Sequence, residues 1–429
     1  MRGAGSFVRL ALGAAFALGA NRMTAQSVLG SVTEARVLPL RDQLEAEKAL
    51  ARWHLGPIHL RPRLSLQGPS YTNNLLGTAG GEAPDWTGTV VGGLRYLIPI
   101  GTRVFIRGEE SPSYYWALNA TERRRFGWVN DSALYAFFGR VTIEATGGLY
   151  RSTIPLSSED PQPVGVTSTR FGLRSEFALL GKLSVLGEVT GVRRSFDTNG
   201  VSSESAAVIA KLEGNDLSVR GGLQYRYSSS LLLGLSYERS TFRLSSASLR
   251  NNDETGYVAS AQFQRHRLSL NALGGLREFR ATEGSTFPFY RGVTGSLFLS
   301  YEILRPLTFE AYAKRNLVGS TYFDVPYYIE TRYGAGFGLL LGRRITLRGI
   351  FEIGTNRYPI ASDPGADNPV ARKDDVKTLK GELSVLVIRS VRIVGGLSQT
   401  RYTSNIPGLN RSILGFTTNI DFGGLDLIR

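Results

Sequence analysis

Beyond Pro57 the chain alternates between apolar and polar residues. Ile58, Leu60, Leu64 and Leu66 are interleaved with His59, Arg61, Arg63, Ser65 and Gln67, and Leu307, Phe309, Ala311 and Ala313 with Thr308, Glu310, Tyr312 and Lys314. The same period runs through Ile345, Leu347, Gly349, Phe351 and Ile353, and through Leu414, Phe416, Thr418, Ile420 and Phe422. Successive strand side chains point to opposite faces, so these runs predict strands with one apolar and one polar face. A soluble sandwich alternates in the same way, so the period alone leaves the architecture open.

The connections separate the two. Very short links lie at 98–101, 139–140, 180–182, 228–230, 264–266, 304–306, 342–344 and 388–390. Long polar stretches fall between them, near 69–84, 108–124, 152–168, 241–255, 280–290, 316–328, 356–376 and 402–410, with a shorter one at 196–204. Short and long connections in turn are the signature of an all-β, up-and-down transmembrane antiparallel barrel, with tight periplasmic turns and long outer loops. Eight hairpins plus strands at 57–68 and 411–422 predict about 18 strands, with residues 57–429 forming the barrel. Residues 204–227 read as one long strand with a bulge at Gly214-Asn215-Asp216.

Ahead of the strands the period changes. In LRDQLEAEKALARW (Leu40 to Trp53), Leu40, Leu44, Leu50 and Ala51 share a helical face, and Glu47 interrupts it. This short amphipathic helix, in a periplasmic segment at 26–56, is expected to plug the barrel, cap its periplasmic mouth, dock a partner, or pack at the rim.

The N-terminus reads as a secretory signal at 1–25: Arg2 and Arg9 flank the start, Leu10 to Ala20 is a short apolar run, and small residues follow. Composition fits secretion into an outer membrane. There are 50 glycines and 40 Tyr and Phe residues, with no cysteine. Without cysteine there is neither a disulfide framework nor a cysteine nucleophile. The net charge of +14 points to an anionic cargo, an acidic lipid surface or nucleic acid.

On the barrel reading the apolar face meets lipid and the polar face lines a lumen. The expected lumen set is Arg61, Arg63, Arg95, Arg103, Arg107, Arg170, Arg174, Arg220, Arg226, Arg277, Lys314, Arg332, Arg348, Lys380 and Arg392. Its acids are Glu109, Glu144, Glu176, Glu188, Glu238, Glu310, Glu330, Glu352 and Glu382. Two readings stand together. Arg and Glu ladders satisfy one another in a wet interior, and the surplus of guanidinium groups makes a field that favours anions.

Aromatics such as Tyr114, Trp116, Phe126, Trp128, Tyr150, Tyr290 and Tyr333 cluster near the outer strand ends, as an interfacial girdle or as sugar-stacking surfaces. Chemistry for an enzyme is missing. The three histidines, His54, His59 and His266, all map to the periplasmic end, away from any outer-leaflet substrate. No Walker, HExxH or calcium-loop pattern occurs, and no cofactor is implied. Arg123-Arg124-Arg125 faces outside, where lipopolysaccharide phosphates are nearer partners than nucleic acid.

The opening strand and loop, LRPRLSLQGPSYTNNLLG (Leu60 to Gly77), with Pro62, Leu64, Leu66, Tyr71, Asn73 and Asn74, resembles the start of β-barrel porins encoded near bacterial exopolysaccharide-export genes. GRVTIEATGGLYRS (Gly139 to Ser152) is similar in rhythm. The resemblance implies an outer-membrane barrel of a Gram-negative-type bacterium and, by association, polysaccharide export with a periplasmic export partner. The expectation is therefore a non-enzymatic porin-like channel for anionic solutes or exopolysaccharide. The alternatives are a non-conducting scaffold and a surface receptor or adhesin acting through outer loops.

Overall fold

The computed structural model describes residues 40–51, 53–76, 83–155, 159, 162–199, 203–246, 250–282, 288–320, 325–361, 371–388 and 390–423. The expected leader at 1–25 lies outside them. A short helix, α1 (Leu40–Ala49), leads into β1 (Trp53–Leu55), which pairs with the start of β2 (Ile58–Thr72). Eight hairpins follow: β3 (Asp85–Ile100) with β4 (Val104–Ala117), β5 (Arg125–Phe138) with β6 (Val141–Pro155), β7 (Pro163–Leu180) with β8 (Leu183–Asp197), and β9 (Gly214–Ser228) with β10 (Leu231–Leu244). Then come β11 (Asn252–Arg265) with β12 (Leu268–Ala281), β13 (Tyr290–Leu304) with β14 (Leu307–Gly319), β15 (Tyr327–Leu341) with β16 (Ile345–Ala361), and β17 (Ala371–Ile388) with β18 (Val391–Ser404). The last strand, β19 (Arg411–Phe422), pairs back onto β2, so β2 to β19 form a closed antiparallel barrel of 18 strands.

The hairpin turns are two or three residues long, as the sequence predicts, and their geometry selects their residues. Gly139 and Gly342 sit at φ +57° and +64°, in the left-handed region where a side chain is strained. His266 takes the same conformation at φ +49°, within the small group of residues that tolerate it. The wall itself uses glycine for closeness. A Cβ on Gly275 would lie 2.2 Å from the Tyr257 carbonyl oxygen, whereas neighbouring Gly274 faces open space.

The barrel's outer face is apolar. Leu173, Leu235, Tyr257 and Leu397 are 54%, 59%, 65% and 62% exposed, which no water-soluble sheet would tolerate around its whole circumference. A closed wall leaves no unpaired backbone edge, so this face can meet hydrocarbon.

Three expectations are corrected. Residues Ser203–Ala210 form a helix, α2, so the long strand read over 204–227 begins only at Gly214, and the strand count is unchanged. The alanine-rich segment lies beyond the lipid belt, where alternation gains nothing and helix propensity decides. The strands also reach further outward than the apolar pattern shows. Much of 108–124, 152–168 and 356–376 is strand, because backbone pairing continues there without the regular alternation of apolar and polar residues. Finally, the N-terminal helix stops at Ala49, and Trp53 belongs to β1.

Candidate functional site

Leu44 of α1, 2% exposed, packs on Leu97, Phe105 and Tyr135, which identifies their side of β3, β4 and β5 as the inside of the barrel. Residues directly opposite on paired strands point the same way. Carried round the ring, this register places Arg61, Arg63, Arg95, Arg107, Glu144, Arg170, Arg174, Glu176, Glu188, Arg220, Arg226, Arg348 and Glu352 on the inner face. Glu109, Glu238, Arg277, Glu310, Lys314, Glu330, Arg332, Lys380, Glu382 and Arg392 share it. Arg103 lies outside the strands that this register orders. It lies exposed in the turn between β3 and β4, where its carbonyl accepts the Phe137 N–H at 2.9 Å, because the strand starts only at Val104.

The inner charges form a belt. Glu144, Arg174, Glu188, Arg220 and Glu238 stand directly opposite one another on five successive strands, alternating in sign. Arg220 meets Glu238 at 3.1 Å, and Arg277 reaches the same carboxylate at 3.6 Å. On the far wall Lys314 and Arg332 both hold Glu330, at 2.7 and 3.3 Å, and Arg348 pairs with Glu310. Tyr312 donates its hydroxyl to Glu352. Near the first strands Arg63 and Arg95 converge on Glu109, with the Ser111 hydroxyl donating to that carboxylate at 2.9 Å. Most of the expected lumen charges are therefore mutually satisfied, as a wet wall requires.

Not all are: the inner-face cations Arg170, Lys380 and Arg392, and the acids Glu176 and Glu382, make no ion pair among the described residues. Of these cations, Arg170 and Lys380 are exposed. Arg170 lies 5.3 Å over the Tyr150 ring, whose hydroxyl donates to Asp131 at 2.7 Å. Arg107 forms its ion pair with Glu47 of α1 at 3.1 Å, so its carboxylate partner comes from outside the wall.

The outer mouth is narrowed by loops. The β6–β7 and β14–β15 connections stand eight places apart in the ring of 18, nearly opposite, yet Ser320 donates to the Glu159 carboxylate at 2.9 Å. Both residues are buried. Arg250, from the β10–β11 connection, donates to the carbonyls of Ser320, Val325 and Pro326 at 2.6, 3.3 and 3.4 Å. The β13–β14 ladder ends at Gly295–Arg315, and beyond it Leu317 and Tyr327 turn onto the inward Phe279 and Tyr290. Ile209 of α2 adds a further inward contact on Val164. The aromatics expected in a girdle thus divide: Trp128 and Tyr333 are exposed outside, whereas Tyr290 packs within, beside Phe279.

Sequence reasoning did not find Glu47, Glu159, Arg250 or Ser320. For Glu47 a signal existed, since it breaks the apolar stripe of α1 on the very face that docks. The loop residues carry no periodic signal at all.

The barrel is even-stranded, with short turns at one end, an apolar exterior and loops folded into the mouth. The fold is that of an outer-membrane porin. The Pseudomonas aeruginosa outer membrane protein OpdK aligns over 85% of this chain and 98% of its own, with a TM-score of 0.51 and 13% identity. A second OpdK structure, with vanillate, gives the same coverages, a TM-score of 0.50 and 13% identity. P. aeruginosa OccK2 (OpdF) in complex with glucuronate covers the same shares, at a TM-score of 0.50 and 12% identity. No family model matches the sequence, and no curated protein matches it.

Proposed function

We propose that this barrel is a channel for small anionic solutes, carboxylates among them. The observation that carries the reading is the inner wall. Most of its charges pair with one another. Of the expected lumen charges that make no ion pair among the described residues, the cations Arg170, Lys380 and Arg392 outnumber the acids Glu176 and Glu382, with Arg170 and Lys380 exposed on different sides of the ring. Fixed guanidinium and ammonium groups in a narrow aqueous path raise the local concentration of anions and exclude cations. The mouth, drawn in by the β6–β7 and β14–β15 connections, favours compact solutes over polymer. Polysaccharide export would require those loop contacts to part. The solved structures of similar fold include one with vanillate and one with glucuronate, both carboxylates, which agrees with this solute class.

The test is a planar bilayer under a salt gradient. The expected reversal potential is that of an anion-preferring pore, with current blocked by added glucuronate. Cation preference would overturn the solute class. An intact barrel that passes no current would favour the scaffold reading instead.

A further inference from the structure

α1 lies inside the periplasmic end of the barrel. Its anchor, Leu44, touches Leu97 near the end of β3, Phe105 at the start of β4 and Tyr135 near the end of β5, all within a few residues of the periplasmic turns. Leu40, Leu44 and Glu47 follow one another at helical spacing, so the face that buries Leu44 also presents Glu47 to the wall. There Arg107 donates its Nε to the Glu47 carboxylate, 3.1 Å from one oxygen and 3.3 Å from the other. One of the cations that the wall offers near this end is thus occupied by a carboxylate that belongs to the chain but not to the wall.

We infer that Arg107 is a carboxylate-binding subsite of the lumen and that Glu47 is its tethered internal occupant, which a solute carboxylate displaces. The inference rests on the channel reading and names a site within it. A guanidinium fork binds any carboxylate of matching geometry, so Glu47 and a solute anion compete for the same donors. Only three residues separate the end of α1 from β1, which is fixed on β2, so the released helix stays close and rebinds readily. A competitor held in place reduces the apparent affinity for solute by the fraction of time the site is free. The helix then acts as a threshold: solute passes this level once its concentration matches that of the tethered acid. The rest of α1 makes release feasible, because Asp42 and Glu45 lie off the docking face and one salt-linked pair, Lys48 with Glu45 at 3.6 Å, is internal to the helix.

The experiment uses the full-length barrel, its folding checked by heat-modifiable gel migration, with glucuronate as the probe of current block. Glu47→Gln should tighten glucuronate block about tenfold if the helix is docked nine-tenths of the time. Arg107→Gln should weaken block whether or not Glu47 is present. A second arm uses the absence of native cysteine. Leu44→Cys with Leu97→Cys, oxidised, should hold the helix down and weaken block, and reduction of the same channel should restore it. Unchanged block in Glu47→Gln and in both redox states, from a channel that still selects anions, would overturn the inference alone. Absence of anion-selective current in every folded variant would overturn the channel reading and this inference with it.

Discussion

Arg277 reaches Glu238 across an entire intervening strand, their charged groups 3.6 Å apart although β11 runs between β10 and β12. Gly256 makes this possible. It lies directly between them in register, and a Cβ there would meet the Arg277 side chain at 3.2 Å. Replacing Gly256 by valine should press Arg277 off Glu238 and leave a half-satisfied carboxylate on the wall. The expected cost is about 1–3 kcal/mol, read as a lower unfolding midpoint in urea with the barrel still formed.

The glycine pair at 274–275 gives a sharper contrast. Gly275→Ala forces a methyl group against the Tyr257 carbonyl oxygen and should reduce barrel assembly, at a cost of about 1–3 kcal/mol. Gly274→Ala points into open space and should fold normally. Comparison of the heat-modifiable fractions of the two variants checks the wall geometry.

Leu173 stands on the lipid face, well inside β7. Leu173→Arg should destabilise the barrel by about 2–4 kcal/mol, the range for a cation near the bilayer midplane. Refolding yield into vesicles measures it. A yield equal to that of the unaltered chain would place Leu173 away from lipid.

At the mouth, Arg250→Ala removes every bond from that guanidinium to the carbonyls of Ser320, Val325 and Pro326. The wall does not depend on these bonds, so unfolding should change little. The loop is expected to move more freely, giving larger and noisier single-channel current than the unaltered channel.

Salt should erase selectivity. Screening shortens from about 10 Å at 0.1 M to about 3 Å at 1 M, less than the half-width of a pore of this strand number. Anion preference is therefore expected to be strongest in dilute salt and to approach unity in concentrated salt, measured from reversal potentials at a fixed gradient ratio.

The sequence by itself determined the barrel and the sense of its faces. Lipid on one side and water on the other impose a period of two on each strand, and tight turns impose short links, so neighbours such as Leu173 and Arg174 take opposite sides. Register assigns no face to Arg103, because parity holds only within a strand and Arg103 lies in the turn before Val104. Where the chain leaves the bilayer that selection stops. Neither the helix at Ser203–Ala210 nor the outward reach of β4 and β7 was visible there. The tertiary structure alone decided how the lumen is filled: Glu47 on Arg107, Ser320 on Glu159 and Arg277 on Glu238 join residues with no sequence relation to one another. Such contacts depend on which loops lean inward and which strands closure makes neighbours, and no local pattern of apolar and polar residues encodes either.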